Sequence, residues 1–444
     1  MSPVCHRGNL AYMDRRQFLK ATAIGTGAIM VDPAFKAEAE PKKIKTPLEV
    51  KGYVRERSHK VPVVDSADVV VAGGGPAGVA AAVAAARQGA DVIILERLYF
   101  MGGLFTGCGV TPIINMYSPS AGGGVQAISG YAEELVSRLD KFGMVVYNGI
   151  IPKVDPEAAK YIMEETLTEA GVRILYGVQV AQVVKSGDRI TSVIVEGKSG
   201  RVAIDCKFVV DCTGDGDILE WTGEDFTVYK NDIGAMWRLG NAGKLNGYDR
   251  TPSNGVSTRW SGGEKDQDGL DMYNLSRIQI GQRKMIWEDF LEKRKQEGCE
   301  DLYIVDTPAL VGVRVTRVLD SVANVTAQGA WDGKEYADVI GFTGADSTLT
   351  IGSQSKESMS RRIWQVPYSA LTPRRVSNLL VAGRCFGYEQ PLTYDAREVG
   401  TCLMTGQAAG TAAAIAVHSR CSNREVDIPE LQKRLRGQGV KLDW

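Results

Sequence analysis

The clearest pattern begins at Ala67. Ala67-Asp68-Val69-Val70-Val71-Ala72 is an apolar, β-branched run and predicts a strand buried on both faces. An Ala-rich stretch from Val79 to Gln88 predicts a helix, closed by Gly89. Asp91–Leu95 predicts a second strand, ending on Glu96. Arg173–Lys185 and Ile190–Ile204 alternate apolar and polar positions across Ser186-Gly187-Asp188 and predict a β-meander. Cys206–Asp211 and Asn378–Ala382 read as further buried strands, and Gly406–Gly410 opens a long Ala-rich helix. Asp427 as N-cap, with Pro429 in the first turn, predicts a short final helix. Between residues 224 and 365 this rhythm breaks, and five of the seven tryptophans fall there: Trp237, Trp260, Trp287, Trp331 and Trp364. They are expected mainly as packing residues, with an aromatic substrate wall as the alternative.

The N-terminus reads differently. Arg15-Arg16-Gln17-Phe18-Leu19-Lys20 precedes an apolar stretch, Ala21–Val31, well short of the ~20 residues a transmembrane helix needs. Ala37-Glu38-Ala39 is a small-x-small site, so cleavage after Ala39 is expected. The paired arginines resemble a twin-arginine signal, with Met13 near its usual start. Export of a folded, cofactor-loaded protein to the periplasm is the expectation, with no transmembrane segment in the mature chain.

Composition narrows the chemistry. In 444 residues, 44% are hydrophobic and 24% charged, which excludes disorder. Lys and Arg total 52 against 53 Asp and Glu, so nothing favours nucleic acid. Fifty glycines exceed the usual share of about 7% and cluster in short runs. The three histidines, His6, His59 and His418, are too scattered for a catalytic triad or a multi-His metal site. None of the eight cysteines forms a CxxC pair, so no metal or iron–sulfur site is expected.

Gly73-Gly74-Gly75-Pro76-Ala77-Gly78 fits G-x-G-x-x-G between the first strand and helix. Gly73 permits the tight turn, Gly75 lets the backbone approach a pyrophosphate, and Gly78 allows close helix packing. The helix N-terminus offers free N–H groups to the phosphates. Glu96 is placed to accept from ribose hydroxyls and to disfavour a 2′-phosphate. Further marks are Met101-Gly102-Gly103, Cys212-Thr213-Gly214-Asp215-Gly216-Asp217, the strand ending in Gly383-Arg384, and the helix opened by Gly406. No second G-x-G-x-x-G provides an NAD(P)H domain.

In their order these motifs resemble the FAD-dependent oxidoreductase family related to fumarate-reductase-type flavoproteins and to the flavin module of heterodisulfide reductase. Asp155-Pro156-Glu157 and Pro367-Tyr368 belong to the same resemblance. It implies an α/β, Rossmann-like FAD/NAD(P)-binding fold of the glutathione-reductase type, with a β-meander and an inserted α+β substrate cap. The implied division is 1–39 signal, 40–66 linker or edge segment, 67–223 and 366–420 FAD-binding parts, 224–365 cap, and 421–444 C-terminal helix.

The resemblance implies FAD contacts at Gly73, Gly75, Pro76, Ala77, Gly78, Glu96, Arg97, Gly102, Gly103, Val180, Thr213, Gly214, Asp215, Gly383, Arg384, Gly400, Thr401 and Gly406. No histidine lies near Gly102–Thr106, so the FAD is expected to be non-covalent, Cys108 being the one nearby thiol. Gly400 stands where relatives often have Pro. Val311–Arg317 resembles an R-x-(S/T)-R element, and Arg314 and Arg317, three apart, are expected to share a helix face, clamping a carboxylate, facing the flavin or forming structural ion pairs. The loop Tyr388–Arg397 is expected over the isoalloxazine, with Tyr388 and Glu389 solvated. Tyr394, Asp395 and Arg397 are the candidates for polarising substrate and moving protons. The implied activity is hydride transfer between a small organic substrate and flavin N5, with a quinone, a cytochrome or oxygen as electron partner. The alternatives are a flavin protein without catalysis and an electron-transfer subunit that needs a partner.

Overall fold

The computed structural model describes residues 48–443, apart from 57, 119–124, 246–248, 254 and 345–362. The expected signal, 1–39, lies outside the described residues. All described residues belong to one compact unit, Lys45–Trp444.

The chain enters as β1 (Val63–Ala72), α1 (Pro76–Arg87) and β2 (Val92–Glu96). After α2 (Pro156–Glu169) come β3 (Arg173–Tyr176), β4 (Gln179–Ser186), β5 (Arg189–Gly197) and β6 (Gly200–Asp211). The middle builds β7 (Asn231–Gly240), β8 (Val256–Gln267), α3 (Met272–Lys293) and β9 (Tyr303–Asp306). The end supplies β10 (Leu379–Val381), α4 (Val399–Ser419) and α5 (Ile428–Gly437).

The main sheet has seven strands in the order β3-β2-β1-β6-β5-β4, with β10 also beside β6. β1 pairs parallel with β2 and with β6, in register from Val69 opposite Val92 and Val69 opposite Phe208. The other edge of β6 pairs antiparallel with β5 up to Asp205, then parallel with β10 from Val209. One long strand thus carries both the meander and the parallel layer. β3 was expected within the meander; it instead extends the parallel layer beside β2. Val69, Val70 and Val71 are fully buried, as strands covered on both faces must be.

α4 lies on α1. A Cβ at Gly406 would come 2.1 Å from the Ala77 carbonyl oxygen, and one at Gly410 would come 2.0 Å from that of Ala81. Two alanine-rich helices therefore touch backbone to backbone, which explains their lack of an amphipathic stripe. α4 begins at Val399, earlier than the expected start at Gly406. Gly406 reads as a boundary in sequence, whereas in the fold it is a packing contact. The final helix forms as expected: the Asp427 side chain accepts from Glu430 N–H at 3.0 Å.

A second layer lies in the middle of the chain. Asp249–Arg250, β8, β7 and β9 form a four-stranded sheet. α3 packs Ile286 and Phe290 against Ala235, Trp237 and Leu239, so Trp237 is a packing residue. From its opposite face Arg238 donates to Asp306 and lies 3.8 Å from both Asp155 and Glu157 at the start of α2. Val315, Val318, Val325 and Trp364 join the main core instead. The separate layer is therefore shorter than the expected 224–365 cap, because the chain returns to the large core well before Trp364.

Candidate functional site

The glycine loop has the geometry its residues demand. Gly73 sits at φ +99°, and a Cβ there would lie 2.4 Å from the Cys212 carbonyl oxygen. A Cβ at Gly78 would lie 1.8 Å from the Gly73 oxygen. Gly75 is different: a Cβ there would meet nothing within 4 Å. That open space lies at the N-cap of α1, with Pro76 in the first turn, where free N–H groups meet the positive end of the helix. Gly103, at φ +50°, packs on the Gly75 backbone, a Cβ there lying 3.2 Å from Gly75 Cα, and Gly102 N–H donates to the Gly74 carbonyl at 2.8 Å. The buried Glu96 carboxylate accepts from Gly74 N–H at 2.7 Å and from Leu98 N–H at 2.8 Å. Arg97 beside it is exposed, and Val180 is buried in the meander core.

Contacts run from this loop to the later motifs. Cys212 N–H donates to the Ala72 carbonyl at 2.8 Å. The Asp211 carboxylate is fully buried and accepts from Thr213 N–H and Oγ1, Ile218 N–H and Leu219 N–H. Burial pushes its pKa up against those bonds. Asp215 accepts from Arg384 Nη2 and from Thr316 Oγ1, each at 2.8 Å. Gly214 is needed beneath that guanidinium, since a Cβ there would lie 2.7 Å from Arg384 Nε. Gly383, at φ +82°, donates its N–H to Thr405 and approaches Ala77. Gly400 and Thr401 occupy the first turn of α4. Gly400 packs against Asn115, whose amide donates to Thr401 Oγ1.

Arg314, Tyr394 and Arg397 form a second group. The Arg397 guanidinium carbon is 4.9 Å from the Tyr394 ring centre, and the Arg314 guanidinium carbon is 5.0 Å from that of Trp260. Arg397 Nη2 is 3.2 Å from Glu398 Oε1, and Arg314 Nη1 donates to the Asp232 carbonyl at 3.1 Å. Burial, then the charge on Arg397, holds the Arg314 pKa below its ordinary value. Burial, then Glu398, pushes the Tyr394 phenol up. Burial pushes Glu398 up, while Arg397 and Arg314 oppose it. The two guanidiniums thus lie near enough for the charge on one to disfavour the other, with Asp232 and the buried Glu398 as carboxylates near Arg314.

Three expectations are corrected. Arg314 and Arg317 share no helix face. The segment is not helical: Arg314 lies in an irregular stretch and Arg317 opens a short strand, Arg317–Leu319. Arg317 instead pairs with Asp217 and Glu220 and donates to the Asp215 carbonyl. Tyr388 is not solvated: it is fully buried and donates to the Arg384 carbonyl at 2.8 Å. Gly406 packs on α1 and does not stand at a helix start. Asp395 is buried beside the second group and accepts from the Trp364 indole at 3.3 Å. Of the tryptophans from the middle region, Trp260 stands in the arginine group, Trp287 is exposed, and Trp237, Trp331 and Trp364 pack in cores.

Glu398 and Asn115 were not singled out in the sequence. Placing the start of α4 at Val399 would have exposed Glu398 as its N-cap position. Asn115 carries no local signal. Among the described residues no cluster of His, Cys, Asp and Glu could hold a metal ion, and no helix is long and apolar enough to cross a membrane.

The residues present fit FAD. The open Gly75 cradle at the start of α1 suits a pyrophosphate, and the Glu96 carboxylate at the same loop suits ribose hydroxyls. A family model described as FAD dependent oxidoreductase matches residues 68–242 and 231–435. Thiamine thiazole synthase from Metallosphaera sedula is 31% identical over 164 residues, covering 34% of this chain and 56% of that protein. The enzyme of the same name from Methanococcus vannielii is 29% identical over 162 residues, covering 33% and 56%. The chain therefore spans about half the length of the curated relatives it matches. Among solved structures, a geranylgeranyl bacteriochlorophyll reductase-like protein from Thermoplasma acidophilum aligns over 84% of this chain and 83% of its own, at 13% identity and a TM-score of 0.44. The p-nitrophenol 4-monooxygenase of Pseudomonas putida aligns over 86% and 91%, at 12% identity and a TM-score of 0.47.

Proposed function

The chain belongs to the FAD-dependent oxidoreductase family, and from that premise we propose that it oxidises or reduces an organic anion held by Arg314 and Arg397. One observation carries this reading: Arg314 and Arg397 are near enough for the Arg397 charge to hold the Arg314 pKa down, a like-charge repulsion that a bound anion relieves. A substrate carboxylate would relieve that repulsion and fit the planar guanidinium fork.

FAD, when bound, would supply the redox chemistry, hydride exchange with a substrate carbon. Gly75, the α1 N-terminus and Glu96 would hold its pyrophosphate and ribose. Gly102, Gly103, Thr213, Gly214, Asp215, Gly383 and Arg384, with Gly400 and Thr401 in the first turn of α4, would line its site. Arg314 and Arg397 orient the substrate and keep its carboxylate out of water. Tyr394, a neutral phenol, moves the proton that accompanies the hydride. Asp395 supports this loop through Trp364. Cys108 is buried and its thiol is pushed up to about 11, so it is a poor nucleophile and the FAD is held without a covalent bond.

The finer kinship, to fumarate-reductase-type flavoproteins and the flavin module of heterodisulfide reductase, rests on the full order of motifs from Gly73–Gly78 through Asp211–Asp217 to Leu380–Arg384 and Gly406–Gly410. The twin-arginine segment at Arg15-Arg16 supports export with FAD already bound. Outside the cytoplasm a quinone, a cytochrome or oxygen is a more accessible electron partner than dissolved NADPH. An anaerobic screen of carboxylic acids and neutral analogues by flavin bleaching tests the substrate class. Bleaching by acids supports it; bleaching by neutral compounds alone refutes it.

A further inference from the structure

α3 is amphipathic in an unusual sense. Its inner face carries Asn274, Ile278, Gln282, Ile286 and Phe290, all buried. The opposite face carries Tyr273, Ile280, Trp287 and Leu291, all exposed. Ile280 is 62% and Trp287 55% accessible. Tyr273, Ile280 and Trp287 recur every seven residues, so they stand in one line along the outside of the helix. Single exposed apolar residues need no explanation, but four large ones on one face, separated by Ser276 and Arg277 and by Arg283 and Lys284, mark a contact surface of mixed character.

The charges on the same helix indicate what covers it. Arg277, Arg283 and Lys284 lie in the first part, and Glu288, Asp289 and Glu292 follow. Arg283, Lys284, Glu288 and Glu292 are exposed. The helix is thus positive up to Lys284 and negative beyond it, with Lys293 at its end. An identical helix running antiparallel, in the register that sets Lys284 of one opposite Glu288 of the other, lays the positive part against the negative part and places Ile280 of one beside Leu291 of the other. That is the self-complementarity a two-fold interface requires. An anionic membrane surface fits less well, because four cations on the helix are nearly balanced by three carboxylates. The chain just upstream fits poorly too. Leu48 N–H donates to Asp271 at the start of α3, but Lys42, Lys43 and Lys45 precede it and do not match an apolar stripe.

We propose that this face of α3 is the interface of a homodimer, formed by antiparallel packing of α3 against its copy in a second chain. It is independent of the flavin site, and nothing in the proposed chemistry depends on it.

Sedimentation of the full FAD-loaded chain across about 0.5–50 μM, a range bracketing micromolar association, tests it. The expected result is a dimer that Ile280→Lys with Trp287→Glu converts to monomer, with the flavin spectrum and unfolding temperature retained. A charge exchange adds a second readout. Glu288→Lys/Glu292→Lys and Arg283→Glu/Lys284→Glu should each weaken self-association at least about tenfold, and a mixture of the two should form heterodimers. A monomer at every concentration overturns the proposal. So does a dimer unaffected by these substitutions, or a monomer whose stripe instead binds vesicles of phosphatidylglycerol and phosphatidylcholine.

Discussion

Arg384 donates to Asp215 at 2.8 Å and ties the end of β10 to the loop after β6. These residues are far apart in sequence, yet they are neighbours because β10 pairs parallel with β6. The bond fixes two motifs against each other, and Gly214 lies directly beneath the guanidinium. Arg384→Met removes a charged hydrogen bond of about 1.5–3 kcal/mol. FAD affinity should fall about ten- to a hundredfold on this scale. Asp215→Asn combined with Arg384→Met should cost little more, since both act on one contact. Titration of apoprotein with FAD measures this, and circular dichroism confirms that the variant is folded.

Gly406→Ala should destabilise the protein without touching any reacting group. The added carbon would lie 2.1 Å from the Ala77 carbonyl, and that obstacle is backbone in a buried helix. Overpacking of this kind costs about 1–3 kcal/mol, and more where the backbone cannot shift. A lowered unfolding temperature by calorimetry is the expected result. Gly437→Ala, where a Cβ meets nothing within 4 Å, is the control and should change little.

Asp217 should make stability depend on pH. Burial first, then the neighbouring Asp215 and Asp211 carboxylates, pushes its pKa up to about 6, with Arg317 and Arg97 opposing. A carboxyl raised on folding binds its proton more tightly in the native state. Its favourable contribution is full below the unfolded value near 3.8 and is lost as pH rises through about 6. Asp217→Asn should therefore raise stability at pH 8 relative to wild type, by roughly 1–3 kcal/mol after allowing for partial exposure. The gain should vanish near pH 4. Denaturant unfolding at the two pH values measures it, and an equal effect at both would rule out this origin.

Much of the nucleotide end was legible because its residues are constrained locally. Gly73 needs positive φ, Gly78 has no room for a Cβ, and the valines of β1 need burial on both faces. Each requirement leaves its mark within a few residues. The Gly406 helix was misread at its start because glycine marks both helix ends and close packing, and only the position of α1 separates the two. Arg314 and Arg317 were misgrouped because their spacing fits a helix, while the segment is irregular up to the strand that Arg317 opens. Glu398 and Asn115 were missed for another reason: they act through contacts that only the tertiary fold creates. The apolar stripe of α3 could not be told from a core face, since the sequence does not show which side of a helix meets the protein.

The arginine pair is the point on which the chemistry turns. Single-turnover reduction of the flavin should be compared for the best carboxylic acid and its amide, in wild type and in Arg397→Ala. The acid should lose about a hundredfold in rate in the variant, FAD remaining bound, because one charged contact of about 3 kcal/mol is gone. The amide should be slow with wild type and no slower with the variant. An amide that reduces the wild-type enzyme as fast as the acid, or an Arg397→Ala enzyme with wild-type kinetics, would contradict the assignment of this pair to substrate binding.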